Sequence, residues 1–171
     1  MNILKPVVSL LLACAAAVLP GCAGAPPSPA EMQHATAAFR LPALPQPGQA
    51  LVYVVRPYSL HTLARFNVFV DSQEDAAEVG YTRGNQYLYF SLAPGTHRIY
   101  SRGENWAEVD LAVNAGDIVF LKQEPSMGLI GSRNTLTRIG EDEGRYYVMK
   151  EKPGTLKAPV ALPGAAEQPG K

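Results

Sequence analysis

Cysteine is scarce: the chain of 171 residues holds two, Cys14 and Cys22, both within its first 22 positions. Nothing further along can form a disulfide, a thiolate zinc site or a Cys-His nucleophile. An excess of either charge is also missing, since 15 basic residues meet 15 acidic ones. That balance argues against the broad basic face that nucleic acid requires. No apolar run reaches the roughly 20 residues of a permanent membrane-spanning helix; the best stretch is residues 7–19, interrupted by Ser9. Proline is nearly absent from residues 49–152, which hold Pro57, Pro94 and Pro125 while the other twelve of fifteen lie outside. With 47% hydrophobic residues overall, residues 49–152 are the expected single folded domain.

Residues 1–21 have the layout of a signal peptide, with Lys5 before the apolar run and Pro20-Gly21-Cys22 after it. Leu19-Pro20-Gly21-Cys22 resembles the bacterial lipobox, in which a leucine and a small residue precede a cysteine that is cleaved at and acylated. The resemblance implies that Cys22 is the lipidated first residue of the mature protein. Ala23, not aspartate, follows it, which by the same resemblance favours the outer membrane, with the body facing the periplasm. Pro20 departs from the usual small residue, and two alternatives compete. Leu11-Leu12-Ala13-Cys14 leaves a very short export signal, and unlipidated cleavage after Ala23-Gly24-Ala25 places Pro26 just past the cut, where proline is poorly tolerated. Residues 22–48 then read as an acylated cysteine and a proline-rich extended spacer that stands the domain off the membrane, and residues 153–171 as a mobile tail.

Within residues 49–122, short β-branched and aromatic runs alternate with turn residues, the pattern of an all-β protein: a small antiparallel β-sandwich of about eight strands. The expected strands are 50–56 (ALVYVVR), 66–71 (FNVFVD), 77–81, 86–92, 96–102, 106–113, 117–122 (DIVFLK) and 134–139. In residues 106–113, Ala107, Val109, Leu111 and Val113 alternate with Glu108 and Asp110, giving one buried and one wet face. Residues 141–152 read either as a short C-terminal helix, with acids at its start and Lys150 and Lys152 at its end, or as a further edge strand favoured by Tyr146-Tyr147-Val148.

The order lipobox, spacer, LVYVVRP (51–57), VFVD (68–71), a lone Gly80, LAPGTHRIY (92–100) and AGDIVFLK (115–122) resembles an uncharacterised family of bacterial lipoproteins, a domain of unknown function. Residues 68–100 also resemble the PEGA-type surface-domain hairpin, which implies a small β-sandwich. Neither resemblance implies an activity.

The residues offer little chemistry. His34, His61 and His97 stand far apart in sequence, so none forms a close metal-binding pair, and no metal or cofactor is expected. Ser126 and Ser132 flank Met127-Gly128-Leu129-Ile130-Gly131 without the strand-turn-helix context of a serine nucleophile. Gly128 and Gly131 lack the following helix and Lys-Ser/Thr of a phosphate loop. The carboxylates at Glu74-Asp75, Glu108/Asp110 and Glu141-Asp142-Glu143 are adjacent or share a wet face, which does not set up a glycosidase pair. More informative are two apolar loops, one with Tyr58, Leu60 and Leu63, the other with Met127, Leu129 and Ile130. They either plug the ends of the sandwich or form a contact patch for a partner. The resulting expectation is a non-catalytic envelope lipoprotein, held to the membrane by lipid, whose body binds or supports another envelope protein. The alternative is a small-ligand or glycan-binding module using Trp106 or the rings of Tyr87, Tyr89 and Tyr100.

Overall fold

The computed structural model describes residues 26–58 and 61–157. Cys14, Cys22, Leu60 and residues 158–171 lie outside the described residues. The described chain runs α1 (Pro29–Thr36), β1 (Ala50–Arg56), β2 (Phe66–Val70), a single 3-10 turn (Asp75–Ala77), β3 (Glu78–Thr82), β4 (Gln86–Leu92), β5 (Gly95–Arg102), β6 (Trp106–Val113), β7 (Ile118–Met127), β8 (Ser132–Ile139), α2 (Glu141–Lys150), β9 (Lys152–Pro153) and β10 (Thr155–Leu156). One sheet has the order β8-β7-β1-β4-β9 and the other β10-β3-β2-β5-β6. This is the all-β sandwich expected, and residues 141–150 form the helix of the two readings.

Why β1 sits at the centre follows from its sequence. ALVYVVR does not alternate, so it needs cover on both faces, and every residue of it is buried. Ala50, Val52 and Val54 face the second sheet and join Val68, Val70, Leu88, Ile99, Leu111 and Leu121 in the main core. Leu51, Tyr53 and Val55 face outward and are covered by Phe39, Leu41, Tyr147 and Val148. Among the described residues, the helical layer therefore lies over the first sheet alone. The second sheet has no described layer on its outer face, and there β6 alternates as its sequence indicates.

Four expectations need correction. Residues 23–48 are not an extended spacer throughout, because Ser28-Pro29-Ala30-Glu31 closes a capping box that starts α1: Glu31 accepts from the Ser28 amide at 2.7 Å while the Ser28 side chain accepts from the Glu31 amide. Proline at the first helical position removes a donor that has no partner there anyway. The segment then continues across the first sheet, where the Tyr53 hydroxyl donates to the Ala43 carbonyl at 2.8 Å and accepts from its amide at 2.9 Å. Burial pushes the Tyr53 phenol up to about 12.

The sheets are not antiparallel throughout, since β1 pairs with β7 and β4 with β9 in parallel. The turn at residues 114–117 lies against the start of β1, with Leu51 donating to the Asp117 carbonyl and Gly116 to that of Gln49, so β7 leaves in the direction of β1. That strand also continues to Met127 rather than stopping at 122, because Pro125 lies beyond the last β1 partner and its missing donor interrupts no ladder on that side. Finally, residues 152–156 are a strap rather than the start of a mobile tail. Lys152–Pro153 closes the β4 edge and Thr155–Leu156 the β3 edge. The close approach requires Gly80, where a Cβ would stand 2.2 Å from the Thr155 carbonyl oxygen.

Gly144 plays the same part inside α2, since a Cβ there would lie 2.1 Å from Cγ of buried Phe120. Alanine ordinarily stabilises a helix interior by about 1 kcal/mol over glycine. Here the clash outweighs it, and Gly144→Ala is expected to lower unfolding free energy by roughly 1–3 kcal/mol in urea titration; an unchanged or raised midpoint would refute this packing.

Candidate functional site

Four chain reversals meet at one end of the sandwich. Arg56, ending β1, lies opposite Gln86, which starts β4. Phe66, starting β2, faces Thr82 at the end of β3, and Arg102 faces Trp106 across the β5–β6 turn. The β7–β8 hairpin projects from the same end, passing the last β1 contact, Val55 to Lys122, before turning at residues 128–131. Both apolar loops singled out in the sequence therefore belong to this end.

Neither described part of them plugs the core. Leu63 is 85% exposed, Met127 79%, and Leu129 and Ile130 97% each. Tyr58 is half-covered, its hydroxyl donating to Glu124 at 3.0 Å; Leu60 lies outside the described residues, as does Cys22.

Each loop is shaped by one charged side chain. Arg56 is fully buried and donates to the carbonyls of Ala64 at 2.7 Å, His61 at 3.0 Å and Thr82 at 3.4 Å, with its guanidinium 3.8 Å from the centre of the Phe66 ring. Burial lowers its pKa to about 10, so it stays charged at neutral pH. Glu104, in the β5–β6 turn, does the converse for the β7–β8 tip. Its carboxylate accepts from the amides of Leu129 at 2.9 Å, Ile130 at 3.1 Å and Gly131 at 2.6 Å. Those amides hold the carboxyl below the usual carboxylate range. Gly128 makes room for it, because a Cβ there would fall 2.2 Å from Oε2.

Beneath the loops the interior turns polar. Thr82 donates to Gln123, Gln123 donates to Ser101 at 2.8 Å, and all three are fully buried, so β3, β7 and β5 are tied across the two sheets. Asn134 and Asn105 exchange bonds of 2.8 and 2.9 Å between β8 and the β5–β6 turn. Glu151, just after α2, accepts from the Arg56 amide at 3.2 Å while its other oxygen is buried without a partner among the described residues. Burial pushes this carboxyl up to about 8.

The aromatic candidates separate. Tyr87 and Tyr89 pack around Tyr53 under the helical layer, while Trp106 and Tyr100 lie on the open face of the second sheet. Trp106 is 38% exposed, its edge on Phe69 and the Arg102 guanidinium beside it. His97 is a structural link: it bonds Asp71 at 2.7 Å and the Ala93 carbonyl at 2.9 Å. No group of three His, Cys, Asp or Glu side chains able to hold a metal occurs among the described residues. An open groove of about 570 Å³ lies away from this end, lined by Phe39, Leu41, Leu44 and Arg145.

Residues 46–135 match a family described as a protein of unknown function, DUF2846. The chain belongs to this family. The DUF2846 region takes in β1 to β7, both apolar loops, Arg56 and Glu104, and it ends inside β8, so α1, α2 and the strap lie outside it. No curated protein matches the chain. Sequence reasoning missed Arg56 and Glu104. The available signals were a lone cation ending an apolar run, and a carboxylate following Gly103 in a hairpin turn.

Two outcomes follow. Because the Glu104 pKa is depressed, its contribution is present above the unfolded value and lost as pH falls through the folded one. The protection factors of the Leu129, Ile130 and Gly131 amides, taken relative to the unprotected amide at each pH, should therefore fall on acidification and in Glu104→Gln at neutral pH; equal protection in variant and parent would exclude the cap. For Glu151 the sign is reversed. The folded state retains the proton, so stability falls as pH rises from the ordinary carboxyl range through about 8. Glu151→Gln should remove that fall and exceed the parent by roughly 2–4 kcal/mol at alkaline pH, as read by denaturant titration.

Proposed function

We propose that this DUF2846 protein is a non-catalytic cell-envelope lipoprotein, acylated at Cys22 and held at the outer membrane facing the periplasm. Its β-sandwich binds or supports another envelope component through the loop end carrying Tyr58, Leu63, Met127, Leu129 and Ile130. The observation behind this reading is that two loops expose large aliphatic side chains almost completely while buried or capping charges fix their backbones. A loop that merely hid apolar area would turn those side chains inward; a rigid outward display suits recognition. The lipobox resemblance at residues 19–22 supports the anchor.

A second reading draws on Trp106. Its ring, with Tyr100 and Arg102, lies on a sheet face that no helix of the described residues covers, a platform of the kind that stacks on sugar rings. Quenching of Trp106 fluorescence by saccharide would favour that reading over the first.

Two measurements test the leading one. Cys22→Ser should accumulate as an unacylated precursor; a variant still processed and lipidated would refute the acceptor. Cross-linking in intact envelopes should capture a component that Leu129→Asp no longer holds, and capture unaffected by that charge would count against the loop end.

A further inference from the structure

We infer that the surface on which the loop end seats is an anionic lipid bilayer, with Met127, Leu129 and Ile130 entering it and a rim of cations meeting its phosphates; this rests on the reading of Cys22 as acylated. Distance is the first reason. Since the capping box starts α1 at Pro29, Cys22 stands six positions before the helix cap, Ser28, and not a long spacer away as read from the sequence. Fully extended, that tether spans about 20 Å. The body therefore lies against the membrane that holds it, and part of its surface faces lipid.

The second reason is the chemistry of the tip. Backbone amides entering an apolar phase must arrive satisfied. Those of Leu129, Ile130 and Gly131 are capped by Glu104, and that of Gly128 donates to the Gly131 carbonyl at 3.0 Å. The side chains left outward are aliphatic, and the tip is a projection rather than a groove, which suits insertion.

Charge is the third. Arg65 and Arg83 stack on Tyr81 beside the β1–β2 loop, and Arg133 follows the tip. None of the three is in a salt bridge among the described residues. Lys150 and Lys152 add to the same end. Its carboxylates are engaged: Glu104 by the tip, Glu124 by Lys122 at 3.3 Å and Tyr58, and Glu151 by burial. An apolar projection on an end that also carries these cations, Arg133 beside the tip and the others across the end from it, is what an anionic interface attracts.

The test uses the full acylated chain carrying Ile130→Trp with Trp106→Phe, and separately Leu129→Trp with Trp106→Phe, reconstituted on vesicles with brominated acyl chains. In phosphatidylcholine with phosphatidylglycerol, the introduced indole should lose about half or more of its emission, and in phosphatidylcholine alone much less. Adding Arg65→Gln and Arg133→Gln should bring the first value down to the second. Unquenched indoles at both positions on protein that is still vesicle-bound overturn the inference. If cross-linking then captures a protein sensitive to Leu129→Asp, the docking reading survives with a different partner. Protein that fails to attach to any vesicle, with no acyl group by mass spectrometry, overturns this inference together with the anchor reading.

Discussion

The loop end depends on the satisfaction of loop backbone by two charges of opposite sign. Arg56 lends protons to carbonyls of the β1–β2 loop, and Glu104 takes protons from amides of the β7–β8 tip. Hydrogen bonds to a charged group are worth more than neutral ones. Spread over several backbone groups, they define loops whose apolar side chains would otherwise favour collapse onto the core. Leu63, Leu129 and Ile130 stay outward because their backbones have no reason to move. The burial of Arg56 is tolerable for the same reason, since carbonyl dipoles and the Phe66 face replace its water.

Below this end the sandwich divides its labour between faces. The first sheet is covered on both sides, which explains the unbroken apolar run of β1. Among the described residues the second is covered on one side, which explains the alternation of β6. The polar ties from Thr82 through Gln123 to Ser101 lie where the apolar core gives out, and they fix the register of the sheets beneath the loops. β6 and β8, the two long edge strands, lie alongside one another, and Asn105, in the turn just before β6, bonds with Asn134 of β8.

Legibility in the sequence followed the range of the forces involved. Residues 50–56, 86–92 and 106–113 were readable to the residue because their side-chain pattern is local and bounded by turn residues. The parallel pairing of β1 with β7 was not, because a turn 60 residues downstream decides it. The prolines around α1 hid a capping box spelled out at Ser28 and Glu31, and the strand read at residues 117–122 runs on through Pro125 to Met127 because its pairing there is with β8 alone. At the loop end the apolar residues were visible, but their direction was not. Whether Leu129 points in or out is set by Glu104, 25 residues earlier and with no motif to mark it.

The strap has a mechanical meaning. Each of its ladders is two residues long, and it crosses from one sheet to the other at Gly154, whose amide donates to the Tyr87 carbonyl at 2.6 Å. A pull from the carboxyl terminus loads these bonds one after another, as in opening a zip, whereas β1 is flanked by full-length neighbours that share any load in shear. Tension from that side thus meets the two short ladders of the strap before it reaches the long ladders of the sandwich.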